Sequence, residues 1–194
     1  MNKENREKQI TALLALLVTL LIIFIIILAS VPPVSRDALT HHLAVPKLWL
    51  NHGGIYEIPD LKFSYYPMNL DLLYAIPLYF GNDIIPKYLH FAFALATAGL
   101  IFSYLSTRFG RVYALTGALF FLTTPVVVKL SINVYVDLGL IFFTTLSLLL
   151  LINWAEKGYG LRYLILSAIS CGLAVGTKYN GLISLFLLAF LPAY

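Results

Sequence analysis

Charge is what this sequence has least of. Of its 194 residues, 11% are Asp, Glu, Lys or Arg, against about 25% in a soluble domain. That deficit excludes an ordinary water-facing surface. The formal net charge of +4 is spread along the chain, with no basic block and no RNA-type motif, so nucleic acid is not a partner. Cysteine is scarcer still. Cys171 stands alone, which excludes an internal disulfide and any CxxC pair. Gly/Ser linkers, low-complexity tracts and internal repeats are absent, so the chain reads as one module. HExxH, GxSxG, P-loop and GxGxxG motifs are missing too, and no hydrolase triad can be assembled.

What is abundant is apolar residues, at 60% of the chain. Residues 1–9 form a short polar tail. The run Ile10–Val31 then meets the roughly 20 residues a membrane-crossing helix requires. It exceeds the h-region of about 7–15 residues in a cleaved signal peptide, so it reads as a first transmembrane helix that stays in place. Residues 32–85 are amphipathic and punctuated by "NHGG" and "GND". Within them, "DALTHHLAVPKLWL" and "PMNLDLLYAIPLYF" read as two short helices at the membrane interface, where Tyr and Trp rings prefer to sit. From residue 86 onward come Pro86–Ser106, Val112–Val128, Val136–Trp154 and Leu161–Gly176 as further spans. A last run from Leu182 to Tyr194 is too short to span comfortably, and the expectation is the front part of a longer protein or a truncated gene product. The fold class expected is therefore all-α and polytopic.

Basic residues in the short loops set the orientation. With the N-terminus cytoplasmic, the inner segments hold Lys3, Arg6, Lys8, Arg108, Arg111, Lys157 and Arg162. Alternation then sends Arg36, Asp37, His41, Lys47, Lys62, Lys129, Asp137 and Lys178 to the outer face. Ionisable groups at membrane edges are costly and mark candidate sites. Carboxylates and cations gathered at one face suit chemistry on an anionic, lipid-linked substrate.

Ordinary roles compete for the same residues. Asp37 and Asp137 each precede a helix and could cap it. Lys178 could snorkel to the headgroups. Asp37 and His41 are spaced to share a helical face, whereas the adjacent His41 and His42 are not and make a poor zinc site. His90 reads as a packed core residue rather than a haem ligand. Tyr65, Tyr66 and Trp49 serve equally as groove lining or as interfacial packing.

The motifs and their order resemble the polyprenyl-phosphate-sugar-dependent glycosyltransferases of the GT-C fold, in particular the bacterial protein-mannosyltransferase-like and aminoarabinose-transferase-like enzymes. "SRDALTHHLAVPKLW" is similar to the family's first-loop motif, with Asp37 at the acidic position. "SYYPMNLDLLYAIPLYFG" resembles its proline-containing segment, "INVYVDLGLIFF" its second acidic motif at Asp137, and "SCGLAVGTKYNGLISL" its lysine segment at Lys178. The resemblance covers residues 10–190. There are departures: Ala38 follows Asp37 where many relatives carry a second acid, and Pro67 stands where relatives often show two prolines.

The resemblance implies inverting transfer of a sugar from a polyprenyl-phosphate donor to a protein, lipid or glycan acceptor. Asp37 would be the general base. Lys178, then Lys62 and Arg36, would hold the phosphate. Asp137 would orient the acceptor or a cation, with His41, Tyr65 and Tyr66 lining the substrate groove. The resemblance fixes no cofactor, and a divalent metal stays open. The location implied is the bacterial inner (plasma) membrane. A non-catalytic scaffold, an enzyme remnant and a small transporter are the competing classes.

Overall fold

A computed structural model describes residues 2–190. Among them every regular element is helical. The polar tail and first apolar run join into one helix, α1 (Lys3–Ala29). It buries only Ile25 and Ala29, so nearly all its apolar surface faces outward, as a lipid-facing helix requires. After α1 the chain runs through Val31–Arg36 into a π-helical segment, Ala38–His42. Next come α2 (Ala44–His52), a 3-10 turn (Lys62–Tyr65) and α3 (Asn69–Tyr79). Gly53 closes α2 at φ 83°, a left-handed conformation that suits glycine.

The long helices follow: α4 (Ile85–Phe109), α5 (Arg111–Thr123), α6 (Pro125–Ser131), α7 (Asp137–Glu156), α8 (Leu161–Thr177) and α9 (Gly181–Phe190). By length and composition, α1, α4 and α7 can cross a membrane. The expected single span Val112–Val128 is instead a bent pair, α5 and α6, which meet at 67°. Pro125 explains the break. It disfavours the helical region for the residue before it, and Thr124 accordingly sits at ψ 124°. The fifth expected span, α8, has 17 residues, about 25 Å of helix against a hydrocarbon core of about 30 Å. In the last expected segment α9 ends at Phe190, and residues 191–194 lie outside the described residues.

Two apolar clusters hold the module together. One joins α1, α4, α5, α6 and α7 through Ile25, Phe91, Ala94, Ala98, Ala118, Leu122, Val127 and Leu138. Alanines on facing helices bring backbones close, which is how helices associate in lipid. The other clamps the first loop to the turn before α7 through Ala38, Leu43, Leu70, Tyr74, Leu78, Val134 and Val136. Lys87, 2% exposed, ties the start of the same loop to α4 instead. Its ammonium donates to the Val31 and Pro32 carbonyls at 2.6 and 3.3 Å and pins the exit from α1.

Candidate functional site

The loop after α1, the start of α3, the α6–α7 turn and the α8–α9 turn converge on one cavity of about 420 Å³. Each contributes polar groups. Asp37, His41 and His42 come from the π segment and its approach, and Asp71 from the first turn of α3. Tyr135 and Asp137 come from the α6–α7 turn and the first residue of α7, and Thr177, Lys178 and Tyr179 from the last residue of α8 and the turn after it. Phe63, Tyr66, Pro67, Met68, Val126 and Leu130 complete an apolar lining.

Asp37 is exposed and takes helical backbone angles, but its side chain makes no capping bond. Its carboxylate is thus not committed to helix capping. Asp137 is the first residue of α7, and its carboxylate also leaves the helix uncapped. It instead accepts from the Lys178 ammonium at 2.6 Å, across 41 residues of chain. Both side chains are part-exposed to the cavity, so the pair stays within reach of a ligand.

Helix α7 receives its cap from elsewhere. His90 on α4 is fully buried, and its Nε2 accepts the Leu138 backbone N–H at 3.0 Å. A backbone N–H only donates, so the ring hydrogen must be on Nδ1. That nitrogen donates to the carbonyls of Leu130 and Asn133 at 3.1 and 3.0 Å. His90 is therefore more than a packed core residue: it fixes the turn that presents Asp137.

The histidine pair departs from expectation. His41 and His42 both line the cavity, with ring centroids 4.0 Å apart. The reason is the π segment, whose Leu43 N–H reaches back five residues to the Ala38 carbonyl at 2.9 Å and widens the turn. His41 stacks on Phe63 at 4.5 Å. Burial and the neighbouring His42 lower its pKa from 6.5, against the opposing pull of Asp37 and Asp71. His42 donates from Nδ1 to Asp71 at 2.7 Å, and Asp71 is 1% exposed.

Among the sequence candidates, Asp37, His41, Tyr66, Asp137 and Lys178 meet at this cavity. Arg36, Lys62 and Tyr65 do not line it. Arg36 and Lys62 are exposed. The Tyr65 hydroxyl turns away to donate to Glu57, which raises its pKa. Trp49 is packed, with its indole N–H on the Tyr56 carbonyl. Asp71 and His42 are the additions that sequence reasoning lacked. An acid inside the apolar stretch "NLDLLYAIP" was the available signal.

The donor set does not fit a resident metal. Ala38 removes the second carboxylate beside Asp37, while Asp71 and Asp137 are engaged by His42 and Lys178. Among the described residues no group of three or more His, Cys, Asp or Glu side chains could hold an ion.

A family model described as dolichyl-phosphate-mannose-protein mannosyltransferase matches residues 73–193. Asp137 and Lys178 fall within the match, and Asp37 and Asp71 precede it. No curated protein and no solved structure matches the chain.

Proposed function

The chain belongs to the dolichyl-phosphate-mannose-protein mannosyltransferase family, and from that premise we propose that it transfers a sugar, with inversion, from a polyprenyl-phosphate donor to a hydroxyl-bearing protein, lipid or glycan. It is an integral membrane glycosyltransferase of the GT-C type. We place the reaction at the outer face of a bacterial inner membrane, with the N-terminus cytoplasmic, on the distribution of basic residues.

The observation that carries this reading is an uncommitted carboxylate and a lysine–carboxylate pair around one membrane-edge cavity. Asp37 takes the proton of the acceptor hydroxyl as its oxygen attacks C1 of the sugar. The C1–O bond to phosphate breaks, and the electron pair stays on the phosphate oxygen. The ammonium of Lys178 meets the charge that grows there. Asp137 holds that ammonium in place at 2.6 Å. Tyr66, with Phe63 and Tyr179 beside it, gives the sugar and lipid an aromatic wall. His41 contributes a half-buried imidazole to the same wall.

Asp37→Asn tests the assignment. In the full chain reconstituted with polyprenyl-phosphate mannose and a membrane extract as acceptor, polyprenyl-phosphate release is expected to fall by at least about 100-fold. Insertion and thermal stability are expected to be unchanged. Turnover near the wild-type rate removes Asp37 as the base.

A further inference from the structure

One pair of groups in the cavity is unused by the transfer step. Lys178 is the lining's single lysine among the described residues, and Asp137 already engages it. A phosphodiester entering this space meets the carboxylates of Asp37, Asp71 and Asp137 against one shared cation. Arg36 and Lys62, the expected reserves, are not on the wall. Further donors to the phosphate must come from elsewhere on the lining.

The His42–Asp71 pair has the geometry for it. The carboxylate oxygen of Asp71 accepts from Nδ1 at 2.7 Å, so that nitrogen carries a hydrogen. Nε2 is the nitrogen left over, and among the described residues it has no protein partner. It is not sealed either: Ser35 Oγ is the one enclosed side-chain polar atom without a partner among the described residues. Nε2 therefore opens on the cavity that His42 lines. An ionised carboxylate as enclosed as Asp71 is costly unless a positive group faces it. An imidazole that donates from both nitrogens meets both needs: Nδ1–H faces Asp71 and Nε2–H is left for a ligand.

Resting on the reading of this cavity as a lipid-phosphate-sugar site, we propose that His42, held by Asp71, is a second phosphate-binding group, sharing with Lys178 the charge of the departing polyprenyl phosphate. Nε2–H donates a hydrogen bond to a phosphate oxygen as the C1–O bond breaks, and no covalent bond to the imidazole forms. Asp71 is a positioning residue, since its contact is with the imidazole. The groups facing His42 from other elements are Asp71 on α3 and the Tyr135 ring, edge-on at 5.9 Å. Asp37, Asp137 and Lys178 line the same space. His41, its neighbour on the π segment, has Nδ1 on the Thr40 hydroxyl and its ring against Phe63.

The test is binding of polyprenyl-phosphate mannose to the full chain in nanodiscs. The probe's phosphodiester keeps one negative charge across the imidazole range, between about pH 5.5 and 8. Wild-type affinity is expected to tighten as pH falls through that range. His42→Gln is expected to bind about tenfold more weakly at about pH 6 and to lose the pH slope. Asp71→Asn is expected to lose the slope as well, which a merely structural role would not produce, while His52→Gln, at the exposed end of α2 and off the cavity wall, keeps it. Unchanged affinity and slope in His42→Gln overturn the inference and leave the transferase reading standing. Absence of probe binding by folded wild-type protein at every pH removes both. If His42→Gln does not insert, the wild-type protein with 15N-labelled histidine decides: the probe must shift the Nε2 resonance of His42, and an unmoved resonance refutes the assignment.

Discussion

His90→Phe isolates what a buried side chain on α4 does for a site it never touches. The substitution keeps an aromatic ring, a somewhat larger one, and deletes the nitrogens. Leu138 N–H then loses its acceptor, and Asn133 C=O loses the donor it takes from His90. The Leu130 carbonyl keeps the Asn133 N–H at 3.1 Å and so stays satisfied. Two enclosed polar groups without partners cost about 1–3 kcal/mol each. Part of that is offset by the more apolar ring, which leaves a net loss of about 2–4 kcal/mol. For a chain of this size the loss corresponds to about 5–15 °C in Tm. Thermal unfolding of the full chain in detergent reads it directly. His90→Gln is expected to recover part of the loss, because its amide both donates and accepts. The α6–α7 turn carries Asp137, so the donor KM is expected to rise in His90→Phe. A Tm within about 2 °C of wild type would refute the claim that His90 caps α7.

Three further outcomes are expected. Lys178→Ala is expected to raise the KM for polyprenyl-phosphate mannose at least about tenfold while leaving insertion intact; unchanged donor kinetics would return Lys178 to a headgroup-snorkelling role. Gly181→Ala would place a methyl 2.5 Å from the backbone of Ala174 and Val175, atoms that cannot step aside. It is expected to cost at least about 1–3 kcal/mol and to disturb Lys178, whose carbonyl accepts the Gly181 N–H; a wild-type melting curve would contradict this. The lowered pKa of His41 gives a pH signature. The folded state resists protonation there, so the contribution to stability is full above 6.5, the unfolded value, and declines as pH falls below it. Thermal melts at pH 7.5 and 5 are expected to differ less in His41→Phe than in wild type, and equal differences would count against it.

The membrane character and the long helices were plain in the sequence because lipid imposes a length and a composition that few other environments demand. The bend in the third span was not, although Pro125 was present. An apolar run reads as continuous unless the residue before a proline is examined, and Thr124 is where the backbone turns out of the helix. Asp37, Asp137 and Lys178 stood out as isolated charges at helix ends. Asp71 did not, because its partner His42 lies 29 residues away and no local spacing links them. Lys87 was hidden in the same manner, its ammonium satisfied by carbonyls more than 50 residues back. Arg36 and Lys62 show the converse. Location on the expected face of the membrane does not put a long side chain on the cavity wall.

The π segment makes the composition of this wall a matter of backbone phase. Its one surplus residue lets two consecutive imidazoles look the same way. Delete one residue from Ala38–Thr40 and the turn can tighten to an α-helix, with the neighbouring loops absorbing little change. Every chemically important side chain would survive, yet the two consecutive imidazoles would no longer face the same wall. Related chains compared by residue identity alone would score such a site as intact. The feature to track across them is the count of residues between Asp37 and Leu43, more than the histidines themselves.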